Sequence, residues 1–235
     1  MITLLGTGHV FRIAEPVSFI VKNIWPDAVL IELDESRYNA ISSTDEKRWS
    51  GHDRAYRNMA KYQKSMAEEY GSQVGAEFVA AAEMGRTIGA VIEFIDKDAN
   101  QTMKEVWDEM PFFERMRFNL SMIGDRFRRK KKADAAVEEF AENEKEYLAD
   151  MRRKYPTLVR KLIDERNVHM AEKIAVAAEK YENIIVVIGD GHVEGIALLL
   201  AGEDIRKIRL RTLMDMEMMN SLRAELWTGM KEGDE

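Results

Sequence analysis

Two of the four histidines stand in the same local setting at opposite ends of the chain. Gly6-Thr7-Gly8-His9-Val10 follows the apolar run Ile2 to Leu5, and Gly189-Asp190-Gly191-His192-Val193 follows the apolar run Ile184 to Ile188. Both fit the pattern G-x-G-H-V-x-x-I, closed by Ile13 and Ile196. Each histidine therefore sits just past a run that reads as a buried strand. Glu32 and Asp96 hold equivalent places after the runs Ala28 to Ile31 and Ala90 to Ile95. Neutral imidazole and carboxylate together make a ligand set suited to a divalent ion such as Zn, Mn or Co, with water completing the sphere. An ion held there lowers the pKa of its water toward neutrality and polarises a carbonyl or phosphoryl oxygen. A single G-x-G reads equally well as a tight turn or a phosphate cradle. Two copies, with His in the same place, favour a shared metal or catalytic site. The H-E-x-x-H, G-x-S-x-G and P-loop patterns are all absent from the sequence, so zinc-helix protease, serine hydrolase and P-loop chemistry find no support.

These residues converge only if the strands that deliver them share one sheet edge. In an open parallel sheet, ligands collect at the carboxyl ends of the strands. Strand-like runs at Ile2 to Leu5, Ala28 to Ile31, Ala90 to Ile95 and Asn183 to Ile188 alternate with helical patterns, which predicts an α/β fold with a mainly parallel central sheet flanked by helices. Pro16 to Trp25 carries Val17, Ile20, Val21 and Ile24 on one face. Asp34 is placed to cap a helix bearing Arg37, Tyr38 and Ile41. Trp49 and His52 fall in a polar stretch that reads as a surface loop or flap, followed by a charged helical pattern from Arg54 to Tyr70. The Ala-rich run Phe78 to Ile88, opened by Gly75-Ala76-Glu77, suits close packing on a sheet.

From residue 99 to 164 no strand pattern appears. The expected organisation is a single α/β domain over 1–235 with a charged helical insertion or arm at 99–164, which would serve as a homodimer contact. Within it the basic run Arg126 to Lys132 precedes the acidic run Glu138 to Glu146, a pattern that most often means two solvated faces. Glu165, His169 and Glu172 share one face of the helix that follows. Such clusters arise freely in charged helices, and a surface or cap role is preferred over metal binding. An apolar helix is expected at Val193 to Ala201, an edge strand at Arg206 to Leu213 with basic residues outward, and a helical tail from Asp215 to Trp227.

The net charge of −7 argues against nucleic acid as a partner. No cysteine is present, which removes disulfides and thiolate ligands. No run approaches the roughly 18 apolar residues of a membrane span, and no leader pattern opens the chain. As written, the expected location is cytoplasmic.

Several of these segments together are similar to a known family. The two GxxH motifs, "VLIELDESR" (Val29 to Arg37), "GAEFVAAAE" (Gly75 to Glu83), "FIDKDANQTMKEVW" (Phe94 to Trp107), "DERNVHMA" (Asp164 to Ala171) and "IIVVIGDGHVEGI" (Ile184 to Ile196) resemble the TraB/PrgY family. That family is related to the Tiki metalloproteases and, more distantly, to the EreA and ChaN-like proteins. The resemblance implies a metal-dependent hydrolase, most simply a peptidase. His9, Glu32 and His192 would be the metal ligands, with Glu32 alternatively the general base. Arg37 and Arg166 would stabilise an oxyanion, and Glu77 and Glu165 match further polar positions. Glu32 or Glu77 would assist the attacking water. The implied cofactor is Mn, Co or Zn, and the implied partner a peptide substrate. The rival implication is a non-enzymatic protein that sequesters a pheromone-like peptide. A weaker third reading is a phosphate or nucleotide binder using the two Gly-rich turns. Lys97 stands where the family commonly has arginine and His169 where tyrosine is frequent, which touches substrate preference more than metal binding. Many relatives continue into transmembrane helices, so membrane attachment is expected only if such a region follows this stretch.

Overall fold

The computed structural model describes residues 1–8, 11–42, 75–128, 146 and 148–232. His9, His52 and the helical pattern Arg54 to Tyr70 lie outside these residues, as does nearly all of the acidic run from Glu138. The described chain groups into two compact units, one formed by Met1–Ala99 with Asn167–Glu235, the other by Asn100–Arg166.

In the first unit, strands β1 (Ile2–Thr7), β2 (Ala28–Ile31), β3 (Val91–Phe94), β4 (Ile184–Gly189) and β5 (Ile205–Ile208) form one sheet in the order β3-β2-β4-β1-β5. Every pairing is parallel. Strands buried on both faces read as continuous apolar runs, which is what β2 and β4 show, while β1 is equally buried but includes Thr3 and Thr7. Alternation by two still divides their side chains. Leu5, Val29, Ile31, Ile185 and Val187 face one core, and Leu4, Leu30, Val186 and Ile188 the other.

The first core is closed by α1 (Ala14–Ile24), α3 (Ala76–Thr87), α9 (Leu210–Met214) and α10 (Met216–Glu232). Its α3 lies close because Gly85 carries no side chain: a Cβ there would stand 2.7 Å from Ile92 and 2.8 Å from Val29. The second core is closed by α7 (Glu165–Ala178) and α8 (Asp190–Leu199). The chain leaves β1 toward α1 and leaves β4 toward α8. Adjacent strands thus send their connections to opposite faces, as right-handed crossovers running in opposite directions along a sheet require. That is the topology that opens a crevice at the carboxyl edge.

One expected element is divided. The strand anticipated over Arg206 to Leu213 ends at Ile208, and Leu210–Met214 is helical. The cause is tertiary. Arg209 is drawn off the sheet by Asp190, whose carboxylate accepts bonds from Nε at 2.9 Å and Nη2 at 2.8 Å and also from the Leu210 N–H at 2.8 Å. The edge charges of β5 are paired, Arg206 with Glu225 at 2.7 Å and Lys207 with Glu194 at 2.9 Å.

The second unit is helical among its described residues. Its elements are α4 (Ala99–Glu109), α5 (Phe112–Arg128), the short α6 (Pro156–Val159) and a π-helical turn (Arg160–Asp164). Its core holds Val106, Met110, Tyr155 and Leu158. Edge-to-face contacts of Phe118 with Trp107 (5.8 Å) and Tyr155 (5.9 Å) complete it. Buried Glu114 accepts bonds from the N–H groups of Thr157 at 3.0 Å and Leu158 at 3.3 Å, so a carboxylate from α5 caps the N-terminus of α6.

Candidate active site at the strand exits

The candidate site lies at the carboxyl ends of three adjacent strands, β2, β4 and β1. Thr7 is in register with Gly189, and the Thr7 hydroxyl donates to the Ile188 carbonyl at 3.1 Å. The two glycine-histidine motifs therefore leave neighbouring strands at the same level of the sheet. Gly6 is required here, because a Cβ on it would stand 2.0 Å from Asp190 Oδ1. The first motif needs glycine because the Asp190 carboxylate of the second lies over it.

Glu32 follows β2 and extends its pairing with β4 by one residue, its N–H donating to the Val187 carbonyl at 3.0 Å. Its side chain is 3% exposed. Oε2 accepts the Gly189 N–H at 2.5 Å, and Oε1 lies 3.4 Å from His192 Nε2. His192 sits in the first turn of α8, since that helix begins at Asp190 rather than at Val193. The Asp190 carboxylate in the first turn favours this earlier start.

The other nitrogen of His192 is held by Asn167: Nδ1 and Asn167 Oδ1 are 2.6 Å apart, and both residues are buried. An amide oxygen only accepts, so Nδ1 carries the proton. Nε2 then presents its lone pair toward the Glu32 carboxylate. Two acceptors that face each other in a buried setting call for positive charge between them, supplied by a proton on Nε2 or by a metal ion. Asn167 is the kind of outer partner that fixes the tautomer of a metal-binding histidine. It escaped the sequence reading because Asn167 in "DERNVHMA" carries no local signal. The nearest clue is Gly195, where a Cβ would stand 2.2 Å from Asn167 Nδ2, so glycine in α8 makes room for the amide.

Two residues after Glu32, Asp34 caps α2 (Glu35–Ser42) as expected, accepting the Arg37 N–H at 2.9 Å. Arg37 extends to Asp96 at the exit of β3, with 3.6 Å between Nη1 and Oδ2. Asp96 also accepts the Lys97 N–H at 2.8 Å. Thus Asp96 orients an arginine. Glu77 is buried in the first turn of α3. In the second unit, Arg166 Nη1 donates to the Leu162 carbonyl at 3.1 Å, and Glu165 is bound by Arg160 at 2.7 Å and Lys161 at 3.0 Å. Those cations account for Glu165 as an ion-network residue. His169, on α7, has its pKa lowered by burial first and then by the charges of Lys173 and Lys97. Among the described residues no group of three or more His, Asp and Glu side chains is assembled as a metal cage.

The TraB/PrgY/gumN family profile matches residues 1–208, the stretch that holds both motifs and all five strands. The chain belongs to this family. A curated relative, an uncharacterized protein of Methanocaldococcus jannaschii, is 27% identical over 224 residues, covering 89% of this chain and 56% of the relative. The chain thus spans little more than half the length of the curated relative it matches. TraB/PrgY/gumN membership covers the whole sheet and the Glu32–His192 pair, and the match ends where β5 gives way to α9 and α10. Among the described residues no helix is long and apolar enough to cross a membrane.

Proposed function

We propose that this TraB/PrgY/gumN protein is a metal-dependent hydrolase, acting on peptides, with its site at the exits of β1, β2 and β4. The observation that carries the reading is the buried pair of Glu32 Oε1 and His192 Nε2, 3.4 Å apart, with Nδ1 of the same ring tied to Asn167. That donor set suits Zn, Mn or Co. Glu32 and His192 would hold the ion, joined by His9, which the sequence places two residues beyond β1. A divalent ion bound there supplies Lewis-acid polarisation of a carbonyl and a more acidic water.

The chain's own residues do the rest. Asn167 keeps the proton on Nδ1 and so keeps Nε2 available. The Gly189 N–H, through its bond to Oε2, holds the Glu32 carboxylate in one orientation. Arg37, oriented by Asp96, provides a fixed positive charge of the kind that stabilises a developing oxyanion.

The test is calorimetric titration of chelator-treated protein with Mn, Co and Zn, together with cleavage of a mixed peptide library. Binding is expected at one site and is expected to be lost in His192→Ala and Glu32→Gln. Cleavage should need the metal. Activity that persists in both His9→Ala and His192→Ala, or tight peptide binding with neither cleavage nor metal dependence, would overturn the assignment, the latter in favour of a sequestering protein.

A further inference from the structure

The second unit carries a feature that the site chemistry does not use. Helix α5 buries one face: Glu114 caps α6, and Phe118 packs between Trp107 and Tyr155. Its opposite face is apolar and bare. Phe112 is 73% exposed, Phe113 74%, Met116 45% and Leu120 61%. At 3.6 residues per turn these four fall within about 100° of arc. In the sequence the same spacing of three and four continues to Ile123 and Phe127.

Exposed Arg115 and Arg117 flank the stripe, one on each side by helical spacing, and their guanidinium groups rest over Trp107 (5.7 Å) and Tyr155 (5.8 Å). In the sequence Arg126 and Arg128 follow Arg115 and Arg117 by eleven residues each, about three helical turns. Between Phe112 and Lys132 the sequence has eight Arg and Lys residues against two acids, although the whole chain carries −7.

We propose that α5 lies along an anionic lipid surface, with Phe112, Phe113, Met116 and Leu120 entering the headgroup boundary and Arg115 and Arg117 at the level of the phosphates. An apolar face rimmed by Arg and Lys is the design of helices that bind in the plane of a bilayer. The charge is what selects lipid over a second copy of this chain. Two such helices brought face to face would set their arginine rims against each other, whereas an anionic leaflet complements them. The net negative charge of the protein does not cancel this attraction, because fields beyond about 8–10 Å are screened at physiological salt. This surface belongs to the helical unit alone and is independent of the metal-site reading.

The experiment is co-sedimentation of the full chain with vesicles of phosphatidylcholine, with and without phosphatidylglycerol. Binding to the phosphatidylglycerol vesicles is expected, falling with added salt, with little to phosphatidylcholine alone. The exposed pair Phe112→Ser with Phe113→Ser should abolish it while leaving circular dichroism unchanged. Arg126→Glu with Arg128→Glu should weaken it by more than tenfold, since each removed cationic charge near the surface is worth about fivefold in partition. The proposal is overturned by three results: no sedimentation with anionic vesicles, unchanged binding in the Phe112 and Phe113 double variant, or a dimer by light scattering that this double variant dissociates in the absence of any vesicle binding.

Discussion

Replacing Asn167 by Leu removes the Oδ1 acceptor that faces His192 Nδ1 while keeping the branched outline of the side chain. Both residues are buried and their polar atoms are 2.6 Å apart, so the Nδ1–H would lose this bond in a buried setting. A buried donor left unsatisfied costs about 1–3 kcal/mol, which for a chain of this length lowers Tm by about 2–4 °C per kcal/mol. The cost should vanish when the ring is also gone. In a His192→Phe background, Asn167→Leu removes no surviving hydrogen bond, and removing both partners of a pair is close to neutral. A double-mutant cycle by urea unfolding should therefore return a coupling of about 1–3 kcal/mol. Nitrogen-15 NMR of labelled His192 supplies the second readout, with Nδ1 protonated in the wild type and a tautomer mixture in Asn167→Leu. Affinity for Mn or Zn should fall by about 10–100-fold, the usual consequence of losing an outer partner of a metal-binding histidine. Gly195→Ala reaches the same end by steric means, because its Cβ would press on Asn167 Nδ2. Additive effects in the cycle, or an unchanged tautomer in Asn167→Leu, would refute the role assigned to Asn167.

Other expectations follow from the same contacts. Gly6→Ala forces Asp190 away from Arg209 and the Leu210 N–H; since Arg209 is 29% exposed, the loss should be about 2–3 kcal/mol, toward the low end for a broken ion pair, and Gly6→Ala with Asp190→Ala should cost less than the sum of the two in chemical denaturation. Glu114→Ala removes the cap on α6 and should lower stability by about 1–2 kcal/mol, with Glu114→Gln recovering part of it. His169 has a folded-state pKa below its ordinary 6.5, so the unfolded chain binds more protons in the window below 6.5; stability should fall as pH drops through that window and be regained as pH rises. His169→Gln should flatten this slope in unfolding curves measured between pH 5 and 7, a span of about the range over which histidine titrates.

Much of the fold could be read from the sequence because its central strands are buried on both sides. Ala28 to Ile31 and Ile184 to Ile188 contain no polar residue, and Ile2 to Leu5 contains only Thr3. Asp34 was recognisable as a helix cap for the same local reason, since its partner lies three residues on. Two things had no local signal. The end of β5 depends on Asp190 reaching Arg209 from another strand exit, so the alternating pattern of Arg206 to Leu213 suggested more strand than forms. Asn167 matters only because α7 passes over Gly195 of α8, a contact that no spacing within either helix encodes. The repeated glycines were visible, but the reason for Gly6 was not: it makes room for the Asp190 carboxylate.

Strand β1 is made before the other strands of its sheet, yet both of its neighbours, β4 and β5, come from beyond residue 183. Strand β1 cannot take its place in the sheet until β4 has been made, and the closure of so long a loop is an entropic toll that slows folding. Glu32 and His192 meet only after β4 has inserted between β2 and β1, so a chain emerging from the ribosome is expected to lack this pair until β4 has been made. Pulse proteolysis of nascent chains halted before Asn183 should find the first strand unprotected.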